Sequence, residues 1–305
     1  MADIVTIFGG SGFVGRYIAR RLAAAGWEVR IAARKPSRAA ANVGPVSGGK
    51  IVPVFANVSE EASVRAVLEG ATVAVNCVGI LEETGRNTFQ ALQADGSARI
   101  ARLAKELGIK RMVQISAIGA DAGSDSEYAR TKAAGEESVL AHFPDAVILR
   151  PSIVFGREDD FFNRFAAMSQ FSPALPVVGP ETKFQPVFVD DVAAAAEAAV
   201  LGKAKPGTYE LGGPEVESFR DLMKRMLKET GRKRAVVEIP FWAARLMGSA
   251  FDTAKHFSFG IIRGPLTLDQ VKNLGRDNVV DADAKGLSEL GITPKRLDEI
   301  LPTYL

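Results

Sequence analysis

The chain has 305 residues, 47% of them hydrophobic, and a formal net charge of +2 at pH 7. That length and apolar share allow a sizeable core, and the near-neutral balance gives no electrostatic case for nucleic acid. A single cysteine, Cys77, excludes an intrachain disulfide framework, and no apolar run of about 18 residues or more offers a bilayer span.

The first strand-like run starts so close to Met1 that no signal or transit peptide fits before it, so a soluble cytoplasmic chain is expected. That run, Ile4–Phe8, is apolar and rich in β-branched residues. After the glycines at 9, 10, 12 and 15, Val14, Ile18, Leu22 and Ala25 recur at helical spacing until Gly26 closes the helix. Residues 27–33 form a second strand, completing a βαβ crossover. In that setting one glycine permits the tight turn, one lets a pyrophosphate approach the backbone, and the last lets helix pack on strand. Two registers fit: Gly10, Gly12 and Gly15, or Gly9, Gly12 and Gly15. Either one places Gly9, Gly10, Ser11, Gly12, Phe13, Val14 and Gly15 around a dinucleotide diphosphate at the helix N-terminus.

The second strand ends Ala33-Arg34-Lys35, with no acid to accept from a ribose 2′-hydroxyl. A guanidinium and an ammonium suit a 2′-phosphate, so NADP(H) is expected ahead of NAD(H), a solvated basic loop being the plainer alternative.

The alternation continues. Lys50–Phe55 is a third strand, followed by Asn57 and a helix at 60–68, and 71–78 is a fourth strand. Residues 89–107 and 129–141 read as helices, and 111–116 and 146–150 as the fifth and sixth strands. The pattern predicts an α/β chain with a doubly wound parallel Rossmann sheet, 1–156 with 184–202, and a smaller discontinuous unit, 157–183 with 203–305. Ligands in such sheets lie beyond the strands' carboxyl ends, where the glycine turn, Arg34, Asn57, Val78, Gly79 and Ser116 all fall. Cys77 near that edge reads as a small buried hydrophobe with no evident cation beside it. Tyr128 and Lys132, at i and i+4, share one helix face, where an ammonium would favour the tyrosinate.

In the second half, 157–171 is a phenylalanine-rich helix, 172–186 a proline-rich loop, and 188–202 a strand and helix returning to the main sheet with Asp190 or Asp191 as N-cap. Residues 218–234 alternate apolar groups with Arg220, Lys224, Arg225, Lys228, Arg232, Lys233 and Arg234, either a solvated face or a docking surface for an acidic partner or anionic headgroups. The apolar stretch 239–262 completes the smaller core if folded inward and marks a protein or membrane contact if exposed. His142 and His256 are too isolated to argue for a metal.

The glycine turn, Tyr128 with Lys132, LRPSIVFG at 149–156 and FVDDVA at 188–193 together resemble the extended or atypical short-chain dehydrogenase/reductases. Residues 132–168 and QPVFVDDV at 185–192 resemble, within them, the nucleotide-binding accessory subunits of respiratory complex I and their bacterial relatives. The resemblance implies Gly9, Gly12 and Gly15 at the phosphate, Arg34 for NADP(H), and Asn57 near the adenine. It implies Tyr128 and Lys132 as the catalytic pair, the lysine also holding the nicotinamide ribose, with Pro151, Ser152 and Ile153 passing the nicotinamide. Ser116 is the candidate hydroxyl partner, although extended members often carry theirs where this chain has Ala117 and Ile118. Gln93 stands on the helix that often supplies an asparagine. Ser124 and Ser126 read as plain loop residues. The complex I subunits bind the nucleotide without turning it over, so the implied function is NADP(H) binding with little turnover. Complex I subunits, and the membrane surface on the cytoplasmic face of the inner membrane, are the implied partners. The alternative is an active NADP(H)-dependent reductase, dehydrogenase or epimerase acting on a carbonyl or quinone-like substrate.

Overall fold

The computed structural model describes residues 3–257 and 267–305. Its first half alternates β1 (Ile4–Phe8), α1 (Phe13–Ala24), β2 (Glu28–Ala33), α2 (Pro36–Val43), β3 (Lys50–Phe55), α3 (Glu61–Leu68) and β4 (Val73–Asn76). A π-helical turn at Gln90–Ala94 leads into α4 (Asp95–Glu106), then β5 (Arg111–Ile115), α5 (Glu127–His142) and β6 (Val147–Pro151). The second half holds β7 (Val154–Phe155), α6 (Phe162–Phe171), β8 (Ala174–Val178), β9 (Lys183–Phe184), β10 (Val187–Phe188), α7 (Val189–Val200) and β11 (Gly207–Leu211). It ends with β12 (Glu217–Ser218), α8 (Phe219–Glu229), β13 (Ala235–Ile239), α9 (Phe241–Phe257), α10 (Leu268–Asn273) and α11 (Leu297–Ile300).

Seven strands, all parallel, form one sheet in the order β11-β6-β5-β4-β1-β2-β3. Strand alternation divides its side chains between two cores. Val5, Ile7, Val29 and Ile31 pack against α1, α2 and α7, while Phe8, Ala74, Met112 and Ile148 pack against α3, α4 and α5. Both faces are therefore covered at the central strands β1 and β4, while the edge strand β3 is only half-buried. The order reverses at β1, and the crevice beyond β1 and β4 is the topological switch point.

The sheet is the doubly wound Rossmann type expected, with one strand more than the six read from sequence. The seventh, β11, comes from the stretch assigned to the smaller unit and pairs with β6. Conversely, β10 does not join the main sheet but pairs with β7. Inside the proline-rich stretch 172–186, β8 pairs in parallel with β13 over five residues, so that segment is sheet and not loop. The helix expected at 157–171 starts only at Phe162, because the Asp159 carboxylate holds the preceding turn through the Gly156 and Asn163 amides.

Neither Asp190 nor Asp191 caps α7, whose N-cap is Phe188. Asp190 instead binds Arg21 of α1 at 2.8 Å, and Asp191 accepts from the Lys295 amide at 2.8 Å. A third core gathers Phe155, Phe162, Leu175, Phe184, Phe219, Met223 and Leu297. Many cations of 218–234 are consumed locally: Arg220 pairs with Glu181, Arg225 with Glu217, and Lys224 with Asp221, while Arg232 donates to the Ala166 carbonyl. That favours the reading as an ordinary helix face. On α9, Ala244 faces inward while Trp242 and Leu246 are 69% and 65% exposed; the part of the apolar stretch at 258–262 lies outside the described residues. Among the described residues no helix is long and apolar enough to cross a membrane.

Candidate functional site

The glycine turn sits at the switch point. Gly9 has φ +75°, and a Cβ there would stand 3.0 Å from the Cys77 carbonyl, so the turn lies directly against the chain leaving β4. A Cβ on Gly15 would come within 2.7 Å of the Gly10 Cα, so α1 can start beneath the turn only with glycine there. Gly12 is the N-cap, without a side-chain cap, and the first turn of α1 carries no acid. Its unpartnered amides and positive dipole end suit an anion. The Phe13 ring packs edge-on to Tyr17, Val14 packs on the first core, and the Ser11 carbonyl accepts from Asn42.

Arg34 and Lys35 follow β2 and are exposed; Arg34 Nη1 donates to Asn87 Oδ1 at 2.9 Å, tying that edge to the loop after β4. Asn57 lies just past β3, but its amide is spent locally, donating to Glu60 at 2.7 Å and accepting from the Ser59 amide at 3.2 Å. Its side chain organises the start of α3.

Deeper in the crevice, Lys132 is buried, its Nζ 3.5 Å from the Ile115 carbonyl and 5.9 Å from the Tyr128 ring centroid. Burial pushes this ammonium down to about 8, against the opposing pull of Glu136. Burial also pushes the Tyr128 phenol up to about 12, which overturns the expectation that Lys132 would favour tyrosinate: desolvation of the anion dominates. The Tyr128 ring stands edge-on to Phe89, centroids 5.8 Å apart. Cys77 does have a cation nearby, but burial outweighs the Lys132 charge and pushes the thiol up to about 12.

Among the described residues, the buried Ser116 hydroxyl and both polar atoms of the Gln93 amide have no hydrogen-bond partner. Such atoms cost free energy unless something satisfies them. Gln93 faces Lys132: a Cβ on Gly79 would lie 3.0 Å from Lys132 Nζ and 3.8 Å from Gln93 Oε1. The π-helical turn aims it there, secured by Ser97 donating to the Gln93 carbonyl at 2.7 Å. Gly135 lets α5 press on that carbonyl, where any side chain would collide. Asn76 completes the frame, bonding Ser97, Gln114 and the Val78 amide.

Pro151 ends β6, and the chain continues through Ser152 and Ile153 along the crevice rim. Asn278 holds this segment: its Oδ1 accepts from Ser152 Oγ at 2.7 Å and from the Ile153 amide at 3.1 Å. The Ser152 hydroxyl is thus engaged with the chain itself. Ser126, read from sequence as a plain loop residue, is the N-cap of α5, and Ser124 accepts from its amide at 3.2 Å. Gln93 stood out in the sequence only through the resemblance, on the helix that often supplies an asparagine; Asn278 carried no signal, because a pairing across 126 residues leaves no periodicity to read.

A family model described as the NAD dependent epimerase/dehydratase family matches residues 5–212. The chain belongs to that family. This epimerase/dehydratase chain is 34% identical over 308 residues to NADH dehydrogenase [ubiquinone] 1 alpha subcomplex subunit 9, mitochondrial, of Arabidopsis thaliana, covering 96% of this chain and 75% of that one. It is 27% identical over 242 residues to the ceramide reductase of Caulobacter vibrioides, covering 78% and 74% of the two chains. Among solved structures, MoeE5 in complex with UDP-glucose and NAD superposes with a TM-score of 0.73 at 16% identity, over 99% of this chain and 97% of that one. That likeness establishes the shared fold. The uncapped helix end, the glycine cradle and the unsatisfied Ser116 and Gln93 atoms are compatible with a dinucleotide.

Proposed function

We propose that the protein binds NADP(H) across the switch point as a resident nucleotide of a complex I accessory protein, with little turnover. The uncapped, acid-free start of α1 beneath the glycine turn is the observation that carries this reading. The amides of residues 9–15 would hold the diphosphate, Arg34 and Lys35 the 2′-phosphate, and Lys132 with Gln93 the nicotinamide ribose. A bound nicotinamide would supply hydride chemistry. One feature supports little turnover: Ile118, in place of a hydroxyl, is buried. The similarity to the Arabidopsis thaliana NADH dehydrogenase subunit supports a place beside complex I.

A second reading rests on Tyr128 and Lys132 standing one turn apart, and on the similarity to a ceramide reductase. There the protonated phenol would donate to a carbonyl oxygen as a general acid, with Ser116 orienting that oxygen.

Calorimetric titration separates these claims. NADPH should bind about tenfold more tightly than NADH, and Arg34→Ala should erase the difference. Equal affinities in the unmutated protein would remove the 2′-phosphate assignment. Oxidation of NADPH with a carbonyl or quinone acceptor, abolished in Tyr128→Phe, would favour the enzyme. Co-purification with solubilised complex I would favour the accessory protein.

A further inference from the structure

Asp269, on α10, lies 141 residues beyond Tyr128, yet its carboxylate closes the start of the helix that carries Tyr128 and Lys132. It accepts from Ser126 Oγ at 2.8 Å, from the Glu127 amide at 2.8 Å and from the Tyr128 amide at 3.3 Å. The first amides of a helix lack intrahelical partners, and a carboxylate there is favoured by the dipole as well. Ser126 already accepts from the Ala129 amide as N-cap, so the two side chains satisfy successive groups of one turn.

Asp269 is held in place from its own side. Thr267 and Gln270 form a capping box at the start of α10. Lys272 donates to the Asp125 carbonyl at 3.0 Å, and Arg276 to Asp125 Oδ1 at 3.1 Å and Ser124 Oγ at 3.3 Å. Gln270 Nε2 reaches the Leu81 carbonyl at 3.2 Å. The segment therefore braces both loops that border Tyr128, the one after β4 and the one after β5. Behind it, a Cβ on Gly248 of α9 would stand 2.9 Å from the Leu268 amide nitrogen, so α9 is seated directly on the start of α10.

We infer that Asp269 is a positioning residue: it clamps the first turn of α5 so that Tyr128 and Lys132 face the nicotinamide half of a bound dinucleotide, which couples that half-site to α10. The inference rests on the dinucleotide reading above. Coupling is reciprocal, so an occupied nicotinamide half must in turn steady α10. A contact serving stability alone would treat the two halves of the ligand alike.

The test titrates the full chain with NADPH, NADH and adenosine diphosphate, comparing the unmutated protein with Asp269→Ala and Asp269→Asn. Asp269→Ala should weaken the tighter dinucleotide by about tenfold and leave adenosine diphosphate within about twofold. Asp269→Asn keeps one acceptor oxygen, should fall between, and serves the comparison should the alanine variant fold poorly. In the unmutated protein the dinucleotide, but not adenosine diphosphate, should slow amide exchange across 268–273, and Asp269→Ala should abolish that difference. Equal weakening of both ligands, or unchanged dinucleotide affinity, would overturn the inference while leaving the site intact. Failure of the unmutated protein to bind any of the three would overturn the dinucleotide reading itself and the inference with it.

Discussion

Gly79 and Lys132 share one small space: the ammonium nitrogen lies 3.0 Å from where a Cβ on Gly79 would stand. Gly79 carries no positive φ, so alanine fits its backbone, and the group that must yield is the far end of a flexible side chain. Gly79→Ala should therefore keep fold stability within about 0.5 kcal/mol. It should weaken dinucleotide binding about tenfold, near 1.4 kcal/mol, by displacing Nζ. A urea melt and a titration read both; unchanged affinity would show that Nζ has no part in binding.

Gly15→Ala makes the opposite case. Its Cβ would meet the rigid backbone of the turn, 2.7 Å from the Gly10 Cα, with no side chain free to move. Overpacking of this kind costs about 1–3 kcal/mol or more. The urea midpoint should fall at constant slope, and a midpoint equal to the unmutated protein's would mean that α1 can shift away from the turn.

Gln93→Leu should separate stability from binding. Removing two buried, unpartnered polar atoms should stabilise the ligand-free protein by about 1 kcal/mol, while dinucleotide affinity drops. Loss of stability with unchanged affinity would mean that the amide serves the fold alone.

The buried Lys132 gives a signature in pH. Its ammonium is pushed down to about 8 by burial, whereas an unfolded chain holds that proton up to about 10.4. Below pH 8 the folded state carries the full penalty of a buried charge. Between about 8 and 10.4 the unfolded state binds more protons, so stability rises with pH. Lys132→Met should lack that rise, gaining on the order of 3 kcal/mol at pH 7 and nothing at high pH, at about 1.36 kcal/mol per unit. Parallel stability curves from pH 7 to 10 would contradict it.

Much of this architecture is local and was legible in the chain. The runs of β1 and β4 are nearly continuous because these central strands are covered on both faces, and the glycines at 9 to 15 mark a turn that tolerates no side chain at Gly15. The proximity of Tyr128 and Lys132 needs nothing beyond helical spacing. The departures share one cause. Ser152 is taken by Asn278, Asp190 by Arg21, the Tyr128 amide by Asp269, and β11 finds its place beside β6. Each partner is distant in sequence, and distant pairs impose no spacing on the letters between them.

The same division holds for the charge state of the site. Residue types and their order along the chain specified a doubly wound sheet and a phosphate-sized turn, since backbone sterics and side-chain period act over a few residues. Packing alone decided that burial pushes the Tyr128 phenol up and the Lys132 ammonium down, because desolvation depends on everything that surrounds a group.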